Sequence, residues 1–229
     1  MITTDDLQGH WRRRWIKALG FEDTTTRVHW LQAGDHYVDL RIPQDQPRPD
    51  GARCLADLSD RALAQLGQAE GFAGSIDVVE NVCTWQREIN WQGPPDGNDI
   101  GKLWRHESGD LMEDGVEADY QEAWEKIPTD GLTAYPIVMR DAFGAVISGA
   151  ETFLVGLGPK PPKKPATLPE MFESVFALGT WADGRGAITL CTDPFCIGGI
   201  LTCRSGGFDL NIQDFHGAPV TMALDLFER

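Results

Sequence analysis

Residues 35–43 read DHYVDLRIP and residues 151–159 read ETFLVGLGP. Aligned on Tyr37 and Phe153, 116 residues apart, both segments end in proline. In the first, Tyr37, Asp39 and Arg41 share one face, and Val38, Leu40 and Ile42 share the other. That alternation is the period-two signature of a strand. The segments C-terminal to them repeat too. A Pro/Lys/Arg-rich stretch, QDQPRPDGA in the first copy and Lys160–Pro165 in the second, leads to an amphipathic helix ending at glycine. The helices read LADLSDRALAQLG at 55–67 and LPEMFESVFALG at 168–179. Gly74-Ser75-Ile76 and Gly186-Ala187-Ile188 then open new strands. A repeat this long predicts two copies of one domain. The first covers 1–129 and the second 130–229, joined at Pro128–Gly131.

Most of the remaining periodicity is strand-like. His10–Leu19, Arg27–Gln32 and His36–Ile42 are rich in Trp, Val, Ile and Tyr, and the last two are joined by Ala33-Gly34-Asp35, a hairpin signal. Ser75–Trp91, Ile100–His106, Leu111–Glu113 and Tyr120–Ile127 complete the first copy, with a turn at Pro94-Pro95-Asp96-Gly97. The second runs through Leu132–Arg140, Ala145–Gly149, Thr152–Leu157, the helix, Ala187–Thr192, Cys196–Arg204, Phe208–Gln213 and Pro219–Phe227. In the helices, Leu55, Leu58, Ala62, Leu66 and Ala69 fall on one face, and Thr167-x-x-Glu170 is a capping box. Seven or eight strands per copy is the number that closes into a small barrel. The fold class is therefore all-β: two tandem antiparallel barrels, each with one short helix.

Comparing the copies gives the face of the third strand a meaning. Where the first has Tyr37, Asp39 and Arg41, the second has Phe153, Val155 and Leu157. An interior face can turn wholly apolar, whereas a solvent face is not expected to, so this face is expected to point into the barrel. Buried charges there need partners. Residues of matching parity supply them: Trp30 and Gln32; Trp85, Arg87, Ile89 and Trp91; and Tyr120, Glu122 and Trp124. The expected lining is thus Trp30, Gln32, Tyr37, Asp39, Arg41, Trp85, Arg87, Tyr120, Glu122 and Trp124. A mostly aromatic lumen with a few fixed charges suits a small amphipathic or hydrophobic ligand. The competing reading is a Trp-rich core with a buried ion network.

Gly9-x-Trp11, Trp11-Arg12, Val28–Gln32, Tyr37–Pro43 and Tyr120-x-Glu122-x-Trp124 together resemble the lipocalin-like, two-domain family of fungi and bacteria that includes a yeast casein-kinase-interacting protein. The resemblance rests on motifs in the first half and on layout in the second. It implies two calycin-type barrels and supplies no catalytic residues.

Other chemistries find little support. The formal net charge of −15 opposes nucleic-acid and anionic-membrane partners. No apolar run reaches the roughly 18 residues of a spanning helix. The first residues, MITTDDLQGHWRRRW, lack a signal-like apolar core, and five cysteines without a close C-x-x-C pair fit reduced thiols, so the expected location is cytoplasmic. Cys191, Cys196 and Cys203 are expected as buried small hydrophobes. The five histidines lack metal-ligand spacing, and His29 with His36 across the hairpin has no third partner. No metal, cofactor or catalytic residue is assigned. Asp39 with Glu122 is the one acid/base pair on offer. The basic loop 159–165 reads first as a stiff spacer. As a polyproline docking site it would make the protein an adaptor with both barrels filled. The order of readings is ligand binder, then adaptor for a protein partner, then small-molecule enzyme.

Overall fold

The computed structural model describes residues 1–46, 51–95 and 97–227. Pro47 and Pro49 of the first proline loop, and Asp96 of the expected turn, lie outside the described residues. Among the described residues, seventeen strands form two antiparallel sheets. The first contains β1 (Gly9–Ala18), β2 (Phe21–Asp23), β3 (Arg27–Ala33), β4 (His36–Ile42), β5 (Glu70–Val79), β6 (Val82–Asn90), β7 (Asp99–Arg105), β8 (Leu111–Gly115) and β9 (Tyr120–Ile127). Each strand from β3 onward pairs with the next, and β1 pairs with both β3 and β9, which closes the barrel and leaves β2 as a spur. Closure removes the exposed sheet edge.

The second sheet runs in simple order through β10 (Thr133–Val138), β11 (Ala142–Ser148), β12 (Thr152–Pro159), β13 (Val175–Ala182), β14 (Arg185–Cys191), β15 (Ile200–Arg204), β16 (Gly207–Gln213) and β17 (Pro219–Asp225). An isolated bridge between Ile137 and Leu226 draws its ends together. The first barrel without its spur matches the second strand for strand. In each, the helix follows the third strand.

The helices are shorter than their periodicity predicts. In the first copy a 3-10 turn at Leu55–Asp57 precedes α1 (Asp60–Leu66), which is capped by the Ser59 hydroxyl accepting from the Ala62 amide. In the second, α2 covers only Leu168–Met171. Half of its expected capping box is present: Thr167 Oγ1 accepts from the Glu170 amide at 3.4 Å, but the Glu170 carboxylate accepts from the Ala166 amide at 3.0 Å instead of from that of Thr167. The expected continuation to Gly179 is instead β13. Phe176 and Leu178 face the other barrel while Ala177 faces inward. A strand buried on both faces reads as a continuous apolar run, which periodicity cannot separate from a helix.

That correction shifts the repeat. Gly74 lies opposite Tyr37, and Gly179 lies opposite Phe153. The true counterpart of Gly74 is therefore Gly179, not Gly186. Both sit at a register shift with the next strand. A Cβ on Gly74 would stand 1.9 Å from the Gln86 carbonyl oxygen, and one on Gly179 would stand 2.4 Å from that of Ala187. Both copies thus need glycine where the next strand closes over the barrel wall. The first bulge inserts Glu88, so Ile89 pairs with Ala73. Trp85 and Arg87 stay inside, but Ile89 and Trp91 join the outer core, contrary to their shared parity in sequence.

The aliphatic face of β4 packs neither into a lumen nor under its own helix. Val38, Leu40 and Ile42 form one buried cluster with Ala145, Ile147, Leu154, Phe176 and Leu178 of the second barrel. Second-copy Gly156 and Gly158 stand where the first has Leu40 and Ile42. A Cβ on Gly156 would lie 2.8 Å from Val38, and one on Gly158 would lie 2.4 Å from Ile89. Bulk on one barrel meets glycine on the other, so the walls approach closely.

Candidate functional site

The ten lining residues expected from sequence all lie in the first barrel, with Tyr37 and its neighbours pointing inward as the copy comparison requires. They divide into three parts along the barrel. At one end, the turn Thr4–Leu7 forms a plug: Trp11 Nε1 donates to the Leu7 carbonyl at 2.7 Å, and Gln8 bonds Gly34 in both directions. Gln32 belongs here. Its Oε1 accepts from Trp30 Nε1 at 3.1 Å and its amide donates to the Gly34 carbonyl.

The middle is aromatic. Trp30 is the hub, its ring 6.0 Å from Trp11, 5.8 Å from Trp85 and 5.6 Å from Trp124. Trp11, Trp30 and Trp124 are essentially inaccessible. These indoles fill the barrel's middle, so Trp30, Trp85 and Trp124 act as packing beneath the site instead of as an open lining.

The other end holds the charges. Arg41 grips Asp39 in its own strand, with Nε 2.9 Å from Oδ1 and Nη2 3.4 Å from Oδ2. Its Nη1 reaches to 3.6 Å from Glu122 Oε1. Glu122 accepts at 2.7 Å from Arg13, which also holds Asp23 on the β2 spur. Arg87 clasps Asp99 through two donors at 2.9 and 2.6 Å. The Arg87 guanidinium lies 3.5 Å, and that of Arg41 5.1 Å, from the Phe72 ring centre, a cation–π arrangement. Arg41 and Arg87 are about one-fifth exposed, which marks this end as the mouth.

Sequence reasoning missed Glu113. It faces Glu122 across β8 and β9. Tyr120 donates to Glu113 Oε1 at 2.7 Å, and Trp124 Nε1 donates to Oε2 at 3.1 Å. Burial, then the neighbouring Glu122 charge, pushes Glu113 up to about 8. Asp39 and Glu122, the acid/base pair that sequence offers, are also raised by burial, but each is clasped by arginine. Glu113 has no arginine bonded to it and is the member of the facing pair that favours its proton. Arg13, Asp99 and Phe72 were missed as well. Alternation along β7 and β8 puts Asp99 and Glu113 on inward faces, but only strand register shows whom they meet.

Among the described residues of this region, one inward polar atom has no partner. The Tyr37 hydroxyl is buried without a hydrogen bond, its residue only 2% exposed. Burial pushes its ionisation well above the usual phenol range, with Arg87, Asp99, Asp39 and Arg41 around it. It is a neutral donor with nothing to donate to, and such an atom costs about 1–3 kcal/mol.

The second barrel is different. Its interior is Ile137, Val146, Phe153, Val155, Leu157, Ile188, Leu210 and Leu224. Cavities nonetheless open on this copy. One of about 620 Å³ lies by Tyr135, Trp181, Arg204 and Phe208. Another of about 260 Å³ lies by Phe172, Cys191, Cys196 and Met222.

Elsewhere, His29 faces His10 at 2.9 Å instead of His36. Burial, then nearby positive charge, lowers His10 to about 4 and His29 to about 3. Among the described residues no group of three or more His, Cys, Asp or Glu is arranged to hold a metal ion. No helix among them is long and apolar enough to cross a membrane. Cys191 and Cys196 are buried, but Cys203 is exposed, against expectation. Lys163 of the basic loop pairs with Glu173 at 2.9 Å, which ties the loop to the residues just past α2.

No family model matches the chain, and no curated protein does. Among solved structures, the crystal structure of uncharacterized protein YLR301w from Saccharomyces cerevisiae is similar over 95% of this chain and 85% of that one, at 12% identity and a TM-score of 0.48.

Proposed function

We propose that the protein is a lipocalin-like, non-enzymatic binder of a small amphipathic molecule, held by its polar end at the mouth of the first barrel. The observation that carries this reading is the unpartnered Tyr37 hydroxyl, buried near the Arg87–Asp99 and Arg41–Asp39 pairs. Native structures rarely leave such an atom unpaired, and a ligand acceptor is one way to satisfy it. Arg41 and Arg87 lie close to the same hydroxyl. The bonds that hold Asp99 use Nε and Nη2 of Arg87, which leaves its Nη1 with hydrogen-bonding capacity to spare, whereas Arg41 Nη1 is turned toward Glu122 at 3.6 Å. A carboxylate or carbonyl suits these donors. Phe72 and the indoles below offer an apolar floor. All five cysteines are unpaired, which supports a reducing, cytoplasmic setting.

The test is a titration with decanoate followed by tryptophan fluorescence, because Trp30 and its neighbours lie directly beneath the site. Saturable binding should weaken about tenfold or more in Arg41→Ala, the loss of a charged hydrogen bond. Decanol, which lacks the carboxylate, should bind more weakly than decanoate. A wild-type protein that ignores both molecules counts against the reading.

A further inference from the structure

The 260 Å³ cavity on the second barrel lies where α2, the start of β13, the ends of β14 and β16, and the start of β17 meet. Its lining includes Phe172, Val175, Cys191, Cys196, Ile212 and Met222. Leu55, from the first copy's connection to its helix, also borders it. That connection is fastened across the barrels: the Ala56 amide donates to the Phe215 carbonyl at 3.0 Å, and Gln213 Nε2 donates to the Arg53 carbonyl at 3.1 Å. The hollow is thus built from both copies and is bounded by fixed backbone.

The polar atoms of Asp193 and Thr192 in its wall are already matched. Asp193 Oδ1 accepts from the Phe195 amide at 2.8 Å, and its Oδ2 accepts from Cys196 Sγ at 3.3 Å. Thr192 Oγ1 accepts from the Phe176 amide. Among the described residues, no lining side chain carries a buried nitrogen or oxygen without a partner. The adjoining Cys191 thiol, then burial, drives the Cys196 ionisation far above the ordinary thiol value, so the sulfur stays neutral. A neutral buried thiol behaves as a small polarizable hydrophobe, like the Met222 thioether. The wall therefore offers mainly apolar contact area and soft sulfur, with Glu173, Ser174 and Asp214 among its polar residues. This is the reverse of the first barrel's mouth, with its spare donor.

We infer that this cavity is a second binding site, independent of the first, for a small uncharged apolar molecule. Apolar cavities of about 150 Å³ stay dry and take benzene, and drug-sized ligands need about 300 Å³ or more. The occupant falls between, on the order of ten heavy atoms. A polar ligand would lose more hydration than the few polar groups here return.

The experiment uses p-xylene on the full chain with methyl-labelled methionine, reading the Met222 methyl resonance. The expected result is a saturable shift of that resonance. Ile212→Phe, which extends a half-buried side chain into the space, should weaken it at least tenfold. Arg41→Ala should leave it unchanged, so failure here and failure of the first-barrel site read out separately. If Ile212→Phe does not fold, Val220→Trp is used instead, because Val220 is 36% exposed at the rim and tolerates bulk. No saturable shift with p-xylene, or the same titration in the filling variant, would overturn the inference.

Discussion

Strands β4 and β12 hold the same place in their barrels and solve it oppositely. In β4, Tyr37, Asp39 and Arg41 face inward and Val38, Leu40 and Ile42 face the partner barrel. In β12, Phe153, Val155 and Leu157 face inward while Leu154, Gly156 and Gly158 face the partner. The first strand keeps its polar chemistry inside and its bulk outside. The second gives up both. One barrel can therefore hold fixed charges because its outer wall is sealed by the other, whose glycines let it come close. The two barrels thus differ in kind, with charges and indoles inside the first and an apolar interior with an accommodating outer wall in the second.

The largest effect should come from making β4 half like β12. Asp39→Val alone strips Arg41 of its main partner in a buried network and should cost about 3–5 kcal/mol in a urea melt. Adding Arg41→Leu should restore most of that loss, to within about 1 kcal/mol of the parent or better, because an apolar replacement of a buried ion pair is often neutral or stabilising. Glu122 keeps Arg13 in both variants. If the double variant is no better than the single one, the two residues are not a self-contained pair.

Making β12 like β4 tests the interface instead. Gly156→Leu drives a side chain into Val38 and Phe176 and should destabilise by about 1–3 kcal/mol. Thermal melts of this variant and of Gly97→Leu, where a Cβ meets nothing, provide the contrast.

A third contrast is in pH. Glu113 titrates near 8 when folded and near 4.5 otherwise, so the folded state holds a proton that the unfolded chain releases across that window. Stability from this group is therefore full below about 4.5 and falls as pH rises to about 8. His10 and His29 work the other way. Their lowered values mean that stability present above 6.5 is lost as pH falls toward 4 and 3. Between 6.5 and 8 only the Glu113 effect acts among these three, and Glu113→Gln should flatten that limb of a stability–pH curve. An unchanged limb would mean that Glu113 is ionised in the fold.

Legibility in the sequence differs by element. The inward face of β4 was legible because strand period is two and because the second copy shows what the position tolerates. The strand β9 was legible to its ends. Strand β13 was not, because Phe176 to Gly179 are buried on both sides and look like a helix. The switch of Ile89 and Trp91 to the outer face was hidden in a single inserted residue, Glu88. Glu113 stood in plain alternation with Leu111, but its opposition to Glu122 is a matter of register between strands. The interface was ambiguous in principle, since an aliphatic face does not say whether lumen, helix or neighbour will cover it.

The smallest change is Tyr37→Phe, which copies Phe153 into the first barrel. Without ligand it removes an atom that bonds to nothing, so stability should hold or rise by up to about 1 kcal/mol. Binding should respond in the opposite sense, and this separates a ligand donor from an inert core phenol. The decisive measurement is the decanoate titration of Tyr37→Phe beside the parent protein. A polar site at the mouth predicts at least a several-fold loss of affinity in a variant that is no less stable. Equal affinity in the two proteins would remove Tyr37 from the site and leave the first barrel as a filled core.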